Sequence, residues 1–117
     1  MSFPKGTIPV EATEIKNVTS VYTTTATTIM IASIATGSIY IQDVVFATGA
    51  TGGNSILGTS TGAVSPTGTA IKLVATIAAG TTLPVSLKQP IQIPSGLNVV
   101  ITSPGGAIYT INYYVAP

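Results

Sequence analysis

From Ala107 to Val115 the side chains alternate: Ala107, Tyr109, Ile111, Tyr113 and Val115 share one face, with Ile108, Thr110, Asn112 and Tyr114 on the other. A repeat of two is the repeat of an extended strand, in which successive side chains point to opposite sides. The same alternation sets Ile71, Leu73, Ala75 and Ile77 against Lys72, Val74 and Thr76, and Leu97, Val99 and Ile101 against Asn98, Val100 and Thr102. β-Branched residues, which suit a pleated surface, dominate elsewhere: threonine is the commonest residue, against only five leucines. These patterns predict an all-β chain.

Turn signals divide the sequence into short strands. Thr36-Gly37, Ala79-Gly80, Pro94-Ser95-Gly96 and Pro104-Gly105-Gly106 each provide a position with fixed or positive φ at which the chain reverses. Strands are expected over Ser20 to Thr25, Thr27 to Ile34 (the two forming either separate strands or one long bent one) and Ser38 to Ala47. Pro84 and Pro90 mark Thr82 to Ile93 as edge or bent strand. About eight strands at this spacing predict a sandwich or barrel, and 117 residues suit one domain. Residues 1–17 hold Pro4, Gly6 and Pro9 and read as an extended N-terminal arm, with a short strand at Ile8 to Val10, ahead of a body over 18–117. One connection is out of scale, Thr48 to Thr69, with glycines at 49, 52, 53, 58, 62 and 68; it is either a contact loop or conceals a strand near Ser55 to Leu57 or Ala63 to Ser65.

Charge is scarce, at 6% of residues against about a quarter in ordinary domains. The four lysines (Lys5, Lys16, Lys72, Lys88) are scattered and there is no Arg, so no basic patch for nucleic acid can be assembled. Without His or Cys, the imidazole base, the thiolate nucleophile, the usual zinc site and the disulfide framework are all excluded. The uncharged runs Asn17 to Gln42 and Val44 to Ile71 are broken by threonine clusters and glycines, so no membrane-spanning helix is expected. The opening Met-Ser-Phe-Pro-Lys-Gly-Thr lacks the apolar core of a signal peptide.

No catalytic, metal or cofactor residue is assigned. Of the three carboxylates, Glu11 and Glu14 fall in the arm, while Asp43 sits mid-strand, where an acid calls for a partner. Lys72, Lys88 or a threonine hydroxyl is expected to provide one, in a structural pair. Calcium wants six to eight oxygens from clustered acids, which no stretch offers. Among the tyrosines, Tyr109 and Tyr113 belong to the presumed core face, and Tyr114, on the opposite face, is the interface candidate.

The order of segments carries a further signal. A Thr-rich strand (Val21 to Ile31) is followed by Gly37-Ser38-Ile39-Tyr40-Ile41-Gln42-Asp43-Val44, a Gly/Thr loop, and Gly80-Thr81-Thr82-Leu83-Pro84-Val85. Gln89-Pro90-Ile91-Gln92-Ile93-Pro94-Ser95-Gly96-Leu97-Asn98-Val99 and the alternating strand Ile108 to Val115 complete it. Over about 18–115 this resembles the small jelly-roll structural proteins of tailed bacteriophages, which include capsid decoration (cement) proteins and head- or tail-fibre modules. The resemblance implies an eight-stranded, two-sheet antiparallel jelly-roll sandwich, a homotrimer on the capsid surface of the virion, and the major capsid protein as partner, met through the arm or one end of the sandwich. It implies no enzyme, no cofactor, no nucleic acid and no membrane. The scarcity of lysine to protect edge strands and a net charge of only +1 also favour association. A second reading from the residues is a carbohydrate- or receptor-binding module of a fibre or adhesin, contacting a host-surface glycan through tyrosines and the Thr48 to Thr69 loop.

Overall fold

A computed structural model of the chain describes residues 15–21, 26–62 and 64–117. Eight strands form, β1 (Ile15–Val21), β2 (Ala26–Ile31), β3 (Ser38–Ala47), β4 (Gly53–Ser60), β5 (Ile71–Ile77), β6 (Thr82–Pro94), β7 (Asn98–Ser103) and β8 (Ile108–Ala116), with one 3-10 turn at Gly68–Ala70. β1 pairs with β8, β2 with β7, β3 with β6 and β4 with β5, all antiparallel. The chain is thus one long ribbon of four strands doubled back on four. Two more pairings, β3 with β8 and β4 with β7, fold that ribbon into two sheets, β1-β8-β3-β6 and β2-β7-β4-β5. This order is the antiparallel jelly roll, two interlocked Greek keys.

The inward stripes meet between the sheets. Ile39, Ile41, Val44, Phe46, Tyr109 and Ile111 of the first sheet face Leu57, Ala75, Ile77, Val99 and Ile101 of the second, and all belong to one buried core. The Tyr109 ring meets Phe46 edge-on at 5.7 Å, with the rings 82° apart. Its hydroxyl crosses to the other sheet and shares a 2.8 Å hydrogen bond with Ser55, so the core's polar atoms are joined rather than stranded.

β3 carries the least regular feature. Strict alternation from Ile39 and Ile41 would aim Asp43 into the core and Val44 out of it. In β8, however, the partners of Ile41 and Asp43 are Tyr113 and Asn112, which are adjacent, so Gln42 is an extra residue. This bulge resets the phase: Val44 and Phe46 enter the core and Asp43 lies outside, half-buried, accepting a 2.9 Å hydrogen bond from the Ser86 hydroxyl. The partner expected for Asp43 was Lys72, Lys88 or a threonine hydroxyl; the register places the Ser86 hydroxyl beside it.

Several expected boundaries move. The arm was drawn to residue 17, but Ile15, Lys16 and Asn17 already pair with Tyr114, Tyr113 and Asn112; the rest of it, including the Ile8 to Val10 strand and the carboxylates Glu11 and Glu14, lies outside the described residues. β1 and β2 belong to different sheets, and residues 22–25 between them, which make up most of the expected strand Ser20 to Thr25, lie outside the described residues. The connection from Thr48 to Thr69 contains the full eight-residue strand β4. β6 is an edge strand, as its prolines require, and between Ser86 and Ile91 it bows away from β3. The four turns anticipated from sequence each contain a left-handed glycine: Gly37, Gly80, Gly96, and Gly105 with Gly106.

The bulge makes an unusual deletion tolerable. Removing Gln42 leaves Ile41, Asp43 and Val44 in regular alternation with every face correct, so the variant is expected to unfold cooperatively in urea within about 1–2 kcal/mol of the parent. Deleting Val45 instead turns Phe46 outward and should abolish the transition. Equal damage from the two deletions would contradict this account of β3.

Candidate interaction surfaces

The outer face of the first sheet is a hydrogen-bonding surface. Register aligns Asn17, Asn112, Asp43 and Ser86 in one row across all four strands. Asn17 Nδ2 donates to Asn112 Oδ1 at 3.2 Å, and Ser86 completes the row through Asp43. In the next row the hydroxyls of Thr19 and Thr110 lie 3.2 Å apart. Neutral amides and hydroxyls in such rows can contact water or a neighbouring surface, and they supply no group that titrates near neutrality.

On the other side of this row lies an aromatic pair. Tyr40 of β3 and Tyr114 of β8 are cross-strand partners, with ring centroids 5.1 Å apart and planes 14° from parallel. Tyr114, expected to be an exposed contact residue, does face away from the core, yet it has no accessible surface; Tyr40 and Ala116 beside it are also buried. Its hydroxyl is buried with no hydrogen-bond partner among the described residues. Burial, and secondarily the neighbouring Tyr40, raise its pKa above the ordinary 10.0.

The outer face of the second sheet is different. Residues 64–70, in the connection after β4, return across it: a Cβ placed on Gly58 would stand 2.6 Å from Pro66 Cβ and would strike the Ala70 carbonyl oxygen, so this approach requires glycine. Thr102 Oγ1 donates to Ser65 Oγ at 3.0 Å and lies 2.8 Å from Thr27 Oγ1, while Lys72 Nζ donates to the Thr69 carbonyl at 3.2 Å. Around this fold-over, apolar side chains stay in solvent: Ile29 is 39% exposed, Val74 49% and Val64 64%. The glycine-rich connection, expected either to be a contact loop or to conceal a strand, holds the strand at the Ser55 to Leu57 position and continues into a pinned flap whose Val64 projects.

One end of the sandwich is closed by backbone. Thr48 Oγ1 donates to the Ala78 carbonyl at 2.6 Å, Thr48 N donates to the Thr81 carbonyl at 2.9 Å, and Gly80 N donates to the Gly49 carbonyl at 2.7 Å, tying the β3–β4 connection to the β5–β6 turn. Among the described residues no three His, Cys, Asp or Glu side chains gather as a metal-binding group, and no helix is long and apolar enough to cross a membrane. The lysines are placed with purpose: Lys16, Lys72 and Lys88 lie on β1, β5 and β6, three of the four sheet edges. Sequence reasoning judged edge protection by lysine to be lacking; topology shows that β2 alone has an edge without a charged residue.

The chain matches no family model, no curated protein and no solved structure.

Two outcomes follow from these surfaces. Gly58→Ala should force the 64–70 flap to lift, costing about 1–3 kcal/mol in urea denaturation and opening a protease-sensitive site near Val64. Tyr114→Phe removes a buried hydroxyl that lacks a partner and should stabilise the fold by about 1 kcal/mol. It should also alter the alkaline limb: the raised phenol stays neutral in the fold while the unfolded chain ionises near pH 10.0. Its contribution is thus complete below that pH and is lost as pH rises beyond it. Thermal melts from pH 9 upward should fall less steeply for the Phe variant than for the parent.

Proposed function

We propose that the protein is a non-enzymatic structural subunit of a virion, a capsid decoration (cement) protein that oligomerises, as a homotrimer, and stabilises a phage head by contact with the major capsid protein. The observation that carries this reading is the contrast between the two outer faces. The first sheet presents rows of amides and hydroxyls, with Ile108 as an exposed apolar side chain toward one end, whereas the second gathers Ile29, Val74 and the projecting Val64 on a surface with few charges. A more polar face and a more apolar face suit a tile that meets neighbours on one side and solvent on the other. β2, the undefended edge, carries Ile29 and borders the apolar face, so assembly is assigned to that side. The resemblance in segment order to phage jelly-roll proteins supports the virion setting. The glycan-binding alternative loses its leading residue, because Tyr114 has no surface to stack on a sugar.

Light scattering of the purified chain and co-sedimentation with undecorated capsids test the reading. The parent should run as an oligomer and pellet with capsids. A Val74→Lys, Ile29→Lys double variant should shift to the monomer mass and lose at least tenfold in capsid binding, while Thr19→Lys on the polar face should change neither. A parent that is monomeric at every concentration and stays in the supernatant would overturn it.

A further inference from the structure

The core is incompletely covered along the seam between β5 and β6. Both are edge strands, β5 of the second sheet and β6 of the first, and they are not paired with each other. Leu73 of β5 and Val85 and Leu87 of β6 pack against the core yet stay half-buried, and Leu83 beside them is 38% exposed. At the opposite seam Met30 and Ile31 of β2 are buried.

The two edges differ as templates for a further strand. β6 holds Pro84, Pro90 and Pro94, which lack an N–H, and it bows out between Ser86 and Ile91. β5 has no proline and keeps an unbroken register with β4 from Leu73 to Ile77. The backbone groups on its outer edge therefore form a regular row, with none of the described strands beyond them. Charge on the seam has one sign. Lys72 and Lys88 are exposed, and neither strand carries an acidic residue. The strands run in opposite directions from the turn at 78–81. At about 3.3 Å per residue both lysines stand roughly 15–20 Å from that turn, at the same end of the seam.

We propose that an extended acidic segment of a partner protein adds to the second sheet along β5, antiparallel to it. Its alternate apolar side chains cover Leu73, Val85 and Leu87, and carboxylates near its C-terminal end meet Lys72 and Lys88. In such strand addition the main chain provides affinity and the alternate side chains provide selection. The two lysines would meet like charge in a second copy of this edge, whereas they attract an acidic strand. The site lies at the other edge of the sheet from β2, to which assembly is assigned above, and is independent of it.

Fluorescence anisotropy with labelled peptides of seven residues, the length of β5, tests the assignment. Two peptides alternate valine with threonine, and the two threonines nearest the C-terminus are replaced by glutamate in one and by lysine in the other. The acidic peptide should bind the full chain at least about tenfold more tightly than the basic one, and high salt should narrow the gap. A Lys72→Glu, Lys88→Glu variant should reverse the order. Of two N-methylated copies of the acidic peptide, one in each phase of the strand, one should lose binding and the other keep it, because a single edge of the added strand faces β5. Hydrogen exchange should show protection gained along β5. Equal binding of the two peptides, no binding of the acidic one, or protection confined to β1 or β2 would overturn the proposal.

Discussion

The ladder between β3 and β8 is the contact on which the rest of the molecule depends. It runs from Ser38 opposite Ala116 to Ala47 opposite Ile108. It joins the pair β1·β8 to the pair β3·β6, and without it the doubled ribbon would have no first sheet. Both strands are nearly continuous in apolar or half-buried residues because each has neighbours on both sides, in addition to the second sheet across the core. The pairing joins residues some seventy positions apart, so the entropy of closing the chain must be met before any of this burial is gained, as in other non-local β topologies.

That ladder also sets where polar groups go. The shift at Gln42 lets a ten-residue strand place two pairs of core side chains on one side while keeping its only carboxylate outside. Once Asp43 is outside, register delivers Asn112 and Ser86 beside it and Asn17 beyond them. The polar row is thus a consequence of pairing and not of any local motif. The outer face of the second sheet has hydroxyl contacts of its own, Thr102 with Thr27 and Ser65, but they lie beside the exposed Ile29, Val64 and Val74.

Much of the fold was legible in advance because it rests on local physics. Alternation identified β5, β7 and β8 with the correct inward faces, and the glycines at 37, 80, 96 and 105–106 marked turns that adopt left-handed backbone. β4 was harder to see: in Gly53 to Ser60, glycine and serine dilute the strand pattern, and Gly58 is there for the flap that lies over it. The phase break between Ile41 and Val44 was present in the sequence as a signal for a bulge. Its consequence for Asp43 needed the partner strand.

Sequence alone determined the class of structure, the inward side of most strands and the lack of His, Cys and Arg, because side-chain period, turn residues and composition are properties of the chain before it folds. Tertiary structure alone decided which strands pair, which edges the three lysines guard, and what becomes of a residue that faces outward. Tyr114 illustrates the difference. Alternation correctly turned it away from the core, but a residue's exposure depends on everything that packs around it, and period two carries no information about that.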